Sequence, residues 1–106
     1  MHQPVAVTRA EDEPNLLCGH ASALKRWSAA GADIVIGGHI HLPYVMTLPD
    51  LARPMWVVQA GTAVSSRVRT GVWNSANLLR WGANSVAGCC RFEQWDFSGA
   101  SQAFVR

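Results

Sequence analysis

Long apolar runs are what this sequence most plainly lacks. The longest, such as Ile34–Ile36 and Trp56–Val58, are a few residues each, whereas a helix crossing a bilayer needs about 20. No membrane role is therefore expected. Met1-His2-Gln3-Pro4-Val5 has no basic stretch leading into an apolar core, so it does not read as a secretory signal. Charge is also sparse: nine basic and seven acidic residues leave a formal net charge of +2. The basic clusters along the chain are no larger than pairs, Lys25 with Arg26 and Arg67 with Arg69. That is too little for a binding face driven by counterion release, so nucleic acid is not indicated as an obligatory partner. Cysteines number three, Cys18, Cys89 and Cys90. An odd count with no CxxC spacing gives neither a disulfide framework nor a zinc or redox motif. Reduced thiols, and hence a cytoplasmic setting, are the expectation.

What is present is globular. Hydrophobic residues make up 49% of the 106 positions, which suits one modest domain over residues 1–106. Residues 2–7 read as the end of a strand entering a loop, with nothing before it, and lead to the expectation that an N-terminal half lies outside this chain. The polar stretch Thr8–Pro14 reads as a loop. Asn15 is positioned to cap a helix, in which Leu17, Ala21, Leu24 and Trp27 or Ser28 recur at helical spacing. Cys18 is expected in its core and His20 on its surface. Gly31 is the natural stop.

Asp33-Ile34-Val35-Ile36 is a continuous, largely β-branched run, the pattern of a strand buried on both faces. A helix feeding such a strand indicates an α/β layered fold. The texture then becomes all-β. Strands are expected at Tyr44–Leu48, Met55–Ala60, Asn77–Trp81, Cys90–Phe97 and Gln102–Val105, with a further extended segment at Val64–Val68. Turns are expected at Pro49–Pro54, Gly82–Ser85 and Ser98–Ser101. The tail is expected to be an antiparallel meander. Within it, Arg91, Glu93, Trp95 and Phe97 face one way and Cys90, Phe92, Gln94 and Asp96 the other. Cys89 and Cys90 are expected to pack.

Chemistry concentrates in Gly37-Gly38-His39-Ile40-His41-Leu42-Pro43, at the C-terminal end of the buried strand, where open α/β sheets place ligands. In an extended segment His39 and His41 would project to one side, their Cα atoms roughly 6.5 Å apart. Ile40 would point inward. Such spacing lets each imidazole serve one ion of a pair about 3.5–4 Å apart. Gly37 and Gly38 permit close backbone approach, and Pro43 stiffens the exit.

Gly38-His39-Ile40-His41 resembles the GHxH motif of calcineurin-like metallophosphoesterases, and His2-Gln3-Pro4 resembles the block that precedes it in that family. The helix-then-strand spacer, the stretch Val57–Ala63 and the closing meander are similar to the family too. The resemblance covers most of this chain but only the second half of a family domain. It implies the C-terminal part of an α/β/β/α sandwich, with one main helix and a largely antiparallel sheet. It further implies hydrolysis of a phosphomonoester or phosphodiester at a dinuclear centre of manganese, iron or zinc. By position His2 and His39 would ligate one metal and His41 the other. The family's earlier Asp-x-His, bridging Asp and Asn-His blocks are not in this sequence. The chain would then need a missing N-terminal half as partner and would be inactive, or nearly so, by itself.

Arg67, Arg69 and Asn74 are candidates for contact with a phosphoester substrate, with Asn77 behind them, although strand-edge and turn roles suit these residues as well. Asp33 reads as a connection residue. Two other readings compete with the phosphoesterase: a non-catalytic binding or scaffold fragment of the same fold, and a nuclease acting on DNA or RNA.

Overall fold

The computed structural model describes residues 1–82 and 86–106. The expected turn at Gly82–Ser85 lies, from Ala83 onward, outside the described residues. The protein is a small α/β fold in two compact units, Met1–Gly61 and Thr62–Arg106.

In the first unit a 3₁₀ helix, Ala10–Asn15, precedes the α-helix α1, His20–Ala29. Strands β1 (Ile34–Gly37), β2 (Tyr44–Leu48) and β3 (Met55–Gln59) form one sheet in the order β1-β3-β2. β1 and β3 run parallel and β2 is antiparallel to β3. The acidic segment expected as a loop is thus a short helix, and Asn15 ends it rather than capping α1. Gly19, with a φ of 77°, precedes α1 instead. The helix ends as expected. Gly31 has a φ of 97°, its N–H donates to the Ser28 carbonyl, and the Ala32 N–H donates to the Trp27 carbonyl. These are the paired bonds of a Schellman stop, which a left-handed glycine makes possible.

Register decides which side chains form the core. Val35, Val57 and Met46 are Cα partners, as are Met55 and Leu48, so they share one face of the sheet. That face packs with Leu24 and Trp27 of α1 and with Val5. Met55 and Val57 are fully buried. Ser28 joins helix to sheet: its hydroxyl donates to the Arg53 carbonyl at 2.7 Å and accepts from the Arg53 N–H at 2.8 Å. Asp33 pairs with Arg53 at 2.8 Å beside it. The opposite face overturns the expectation of a strand buried on both sides, because Ile36 of β1 and Trp56 of β3 are each half-exposed. Ala21 and Cys18 are also exposed. Cys18 falls outside α1, before Gly19, where no helical stripe holds it against the sheet.

The second unit is the expected meander. Strands β4 (Ser75–Arg80), β5 (Arg91–Ser98) and β6 (Ala103–Val105) pair antiparallel in sequence order. Val64–Val68 forms no strand. Cys89 and Cys90 are exposed rather than packed, since both precede β5 and miss its ladder. Among the described residues there are therefore two three-stranded sheets instead of one larger one. Among the described residues no helix is long and apolar enough to cross a membrane.

Tyr44, the only tyrosine, donates its hydroxyl to the Ala6 carbonyl at 2.5 Å. Burial, reinforced by the charge of Asp12, pushes its pKa up to about 12. Because the fold favours the neutral phenol, the stability this group contributes is complete below its usual value near 10 and is lost as pH rises through about 12. Tyrosinate absorbance should therefore titrate near pH 12 in the native protein and near 10 in denaturant. A native midpoint near 10 would contradict the assignment.

Candidate metal centre

The loop after β1 is built around one peptide group, that of Gly38. Its N–H donates to the His2 carbonyl at 3.0 Å. Its carbonyl accepts from the Ile40 N–H at 2.9 Å and from the side-chain amide of Gln59. Gln59 is completely buried at the end of β3. It can lie there because position 37 has no side chain: a Cβ on Gly37 would come within 2.6 Å of Gln59 Oε1. Two segments far apart in sequence are thereby fixed to the end of β1. The Met1 nitrogen adds a bond to the Ile36 carbonyl at 2.8 Å, so His2 is held against the strand. Pro4 behind it is buried, and its carbonyl accepts from the Leu17 N–H at 2.8 Å.

The Gly38–Ile40 bond closes a three-residue turn around His39, whose φ is 74°. A γ-turn with positive φ is the rarer, strained kind, and strain of this sort costs about 1–3 kcal/mol. His41 has a φ of 55°, also left-handed. The segment is therefore not extended, and the expectation that His39 and His41 share a side as alternate residues of a strand does not hold. Ile40 does point inward: it is buried, as is Leu42.

The turn aims His39 at His2. The His39 Nδ1 and His2 Nε2 atoms are 2.9 Å apart, and the rings meet edge to face with centroids 4.7 Å apart. Both are exposed, whereas His41 is half-buried. Among the described residues no group of three or more His, Cys, Asp or Glu side chains comes together closely enough to hold a metal, so the pair does not extend to His41. At 2.9 Å the two nitrogens share a hydrogen bond, whereas two imidazole nitrogens on one tetrahedral ion lie roughly 3.4 Å apart, so a small ring movement separates the two arrangements.

The substrate candidates lie in the second unit. Arg67 is exposed and its N–H donates to Ser65 Oγ at 3.0 Å. Arg69 opens a turn in which its carbonyl accepts from the Val72 N–H at 2.9 Å. Asn74 extends the β4–β5 ladder through its carbonyl, which accepts from the Phe97 N–H at 2.7 Å. His20 begins α1 and its Nδ1 lies 3.1 Å from the Leu17 carbonyl, a local helix-start role. Gln59 is the residue that sequence reading missed. Its polarity inside an otherwise apolar strand, just before Gly61, was the available signal.

Compared with protein families, with curated proteins and with solved structures, the chain matches none. The reading of the histidine pair accordingly stands on motif and geometry.

Gly37→Ala should destabilise the first unit by about 1–3 kcal/mol, measured as a lowered urea midpoint. It should also separate the His2 and His39 resonances that share a hydrogen bond in long-range ¹⁵N spectra. Unchanged stability would show that Gln59 yields easily and that the clamp is not tight.

Proposed function

We propose that this chain forms part of a metal-dependent phosphoesterase of the calcineurin-like type, with the α/β/β/α sandwich that such a domain has. The supporting observation is the pairing of His2 with His39. Residues 37 positions apart supply two ring nitrogens at 2.9 Å, held by a strained turn at the C-terminal end of a parallel strand. Strained backbone beside paired titratable groups is where function concentrates.

In this reading His2 and His39 hold one divalent ion and His41 belongs to a second, each manganese, iron or zinc, since imidazole suits all three. Bound ions there would supply Lewis acidity toward phosphoryl oxygens and lower the pKa of water. The chain's own part is to fix the donors. Gln59 and Gly37 hold the Gly38 peptide, that peptide holds His2, and the γ-turn presents His39. Two converging imidazoles are too few for a stable centre, so the remaining ligands come from a polypeptide segment outside these 106 residues. A cytoplasmic setting belongs to the same proposal; its support is the three free, exposed thiols.

Calorimetric titration with zinc or manganese tests the donor pair. His2→Ala and His39→Ala should each weaken binding at least about tenfold, or about 1.4 kcal/mol, while His20→Ala should leave it unchanged. The chain alone should hydrolyse bis(p-nitrophenyl) phosphate no faster than buffer, and a longer polypeptide carrying the other ligands should do so until a chelator is added. Absence of metal binding by both polypeptides would leave the scaffold reading.

A further inference from the structure

The basic residues of this protein are not spread evenly. The second unit carries five arginines against Glu93 and Asp96, a net of +3, whereas Met1–Gly61 carries four basic and five acidic residues, a net of −1. Within the second unit the ladder gathers the charge further. Arg80 and Arg91 are Cα partners across β4 and β5, so they project from the same face. Arg106, just past β6, reaches that face as well, because its guanidinium lies 3.2 Å from the Glu93 carboxylate, which also binds Arg91 at 2.8 Å. One carboxylate thus pairs with two of the three guanidiniums, those of Arg91 and Arg106, and the three arginines outnumber it by two. Like charges placed directly opposite each other destabilise a sheet, so the arrangement calls for an anion on this face.

The same face also carries aromatic surface. Phe97 and Phe104 are Cα partners and pack edge to face with centroids 5.6 Å apart, and Phe104 is 38% exposed. Trp95 lies between them and the arginines, its indole N–H donating to Glu93 at 3.1 Å. From Arg91 to Phe97 the strand extends about 20 Å, with guanidiniums at one end and rings at the other. A phosphate chain with stackable bases is the ligand that uses both. An acidic peptide would use only the first, and a duplex would hide its bases from the second.

We infer that the Arg80–Arg91–Arg106 face of the β4–β5–β6 sheet, with Phe97 and Phe104, binds single-stranded nucleic acid, RNA or DNA. This is independent of the metal-site reading, since none of these residues belongs to that site. The charge becomes legible only through the antiparallel register, which brings together arginines that are scattered along the chain.

Fluorescence anisotropy of the full chain with short labelled oligouridylate and oligodeoxythymidylate tests the inference and tells RNA from DNA. Binding is expected on the order of 10–100 µM, with log K falling against log salt at a slope of about −2, as three phosphate contacts on a single strand require. Arg80→Gln removes an exposed side chain; it should weaken binding and bring the slope about 0.7 closer to zero. Phe104→Leu should weaken binding with the slope unchanged, and circular dichroism would confirm that the sheet persists. Lys25→Gln with Arg26→Gln on α1 removes more charge and should change nothing. The inference is overturned by no binding at about 50 mM salt, by a duplex or a polyglutamate peptide binding as tightly as the single strands, or by the α1 variant weakening binding as much as Arg80→Gln does.

Discussion

The Gly38 peptide is the constraint on which the candidate centre depends. Its carbonyl takes bonds from Gln59 and Ile40, and its N–H binds the His2 backbone. Each partner comes from a different part of the first unit: the end of β3, the loop after β1, and the N-terminal segment. A half-buried peptide bonded on both sides leaves little conformational freedom. The γ-turn at His39 can persist because its surroundings determine it, and the strain there is carried by bonds made elsewhere. Gly37 is required for a separate reason: the buried amide of Gln59 occupies the space a side chain would take.

The hydrophobic core serves the same end at longer range. Val35, Met46 and Val57 set the register of three strands on one face, and Leu24, Trp27 and Val5 close over it. Ser28 and Arg53 then lock the helix to the loop before β3 through two reciprocal bonds. Register fixes where β1 ends, and where β1 ends fixes where the histidines begin.

Elements with strong local signals were legible in the sequence. Gly31 announced the helix stop, and alternation along β5 announced which of its side chains share a face. Periodicity also gave the antiparallel tail, because each of its strands is bounded by turn residues. Other features were not legible, for identifiable reasons. The Ala10–Asn15 turn is rich in acids and contains a proline, which resemble loop composition. Burial of Ile36 was overestimated because a β-branched run is the same whether one face or both are covered. The His39–Ile40–His41 geometry failed because periodicity of two presumes an extended chain, while a γ-turn depends on Gln59, 20 residues downstream of His39. The pairing of Arg80 with Arg91 is likewise a property of register, not of neighbouring positions.

The His2 and His39 nitrogens are either a ligand pair or only hydrogen-bonded to each other. Crystals of a longer polypeptide carrying the other ligands, soaked in zinc and measured at its absorption edge, decide between the two. An anomalous peak within about 2.3 Å of both His2 Nε2 and His39 Nδ1 is the predicted result. A peak elsewhere, or none, with the two rings still in contact, would contradict the metal-centre reading.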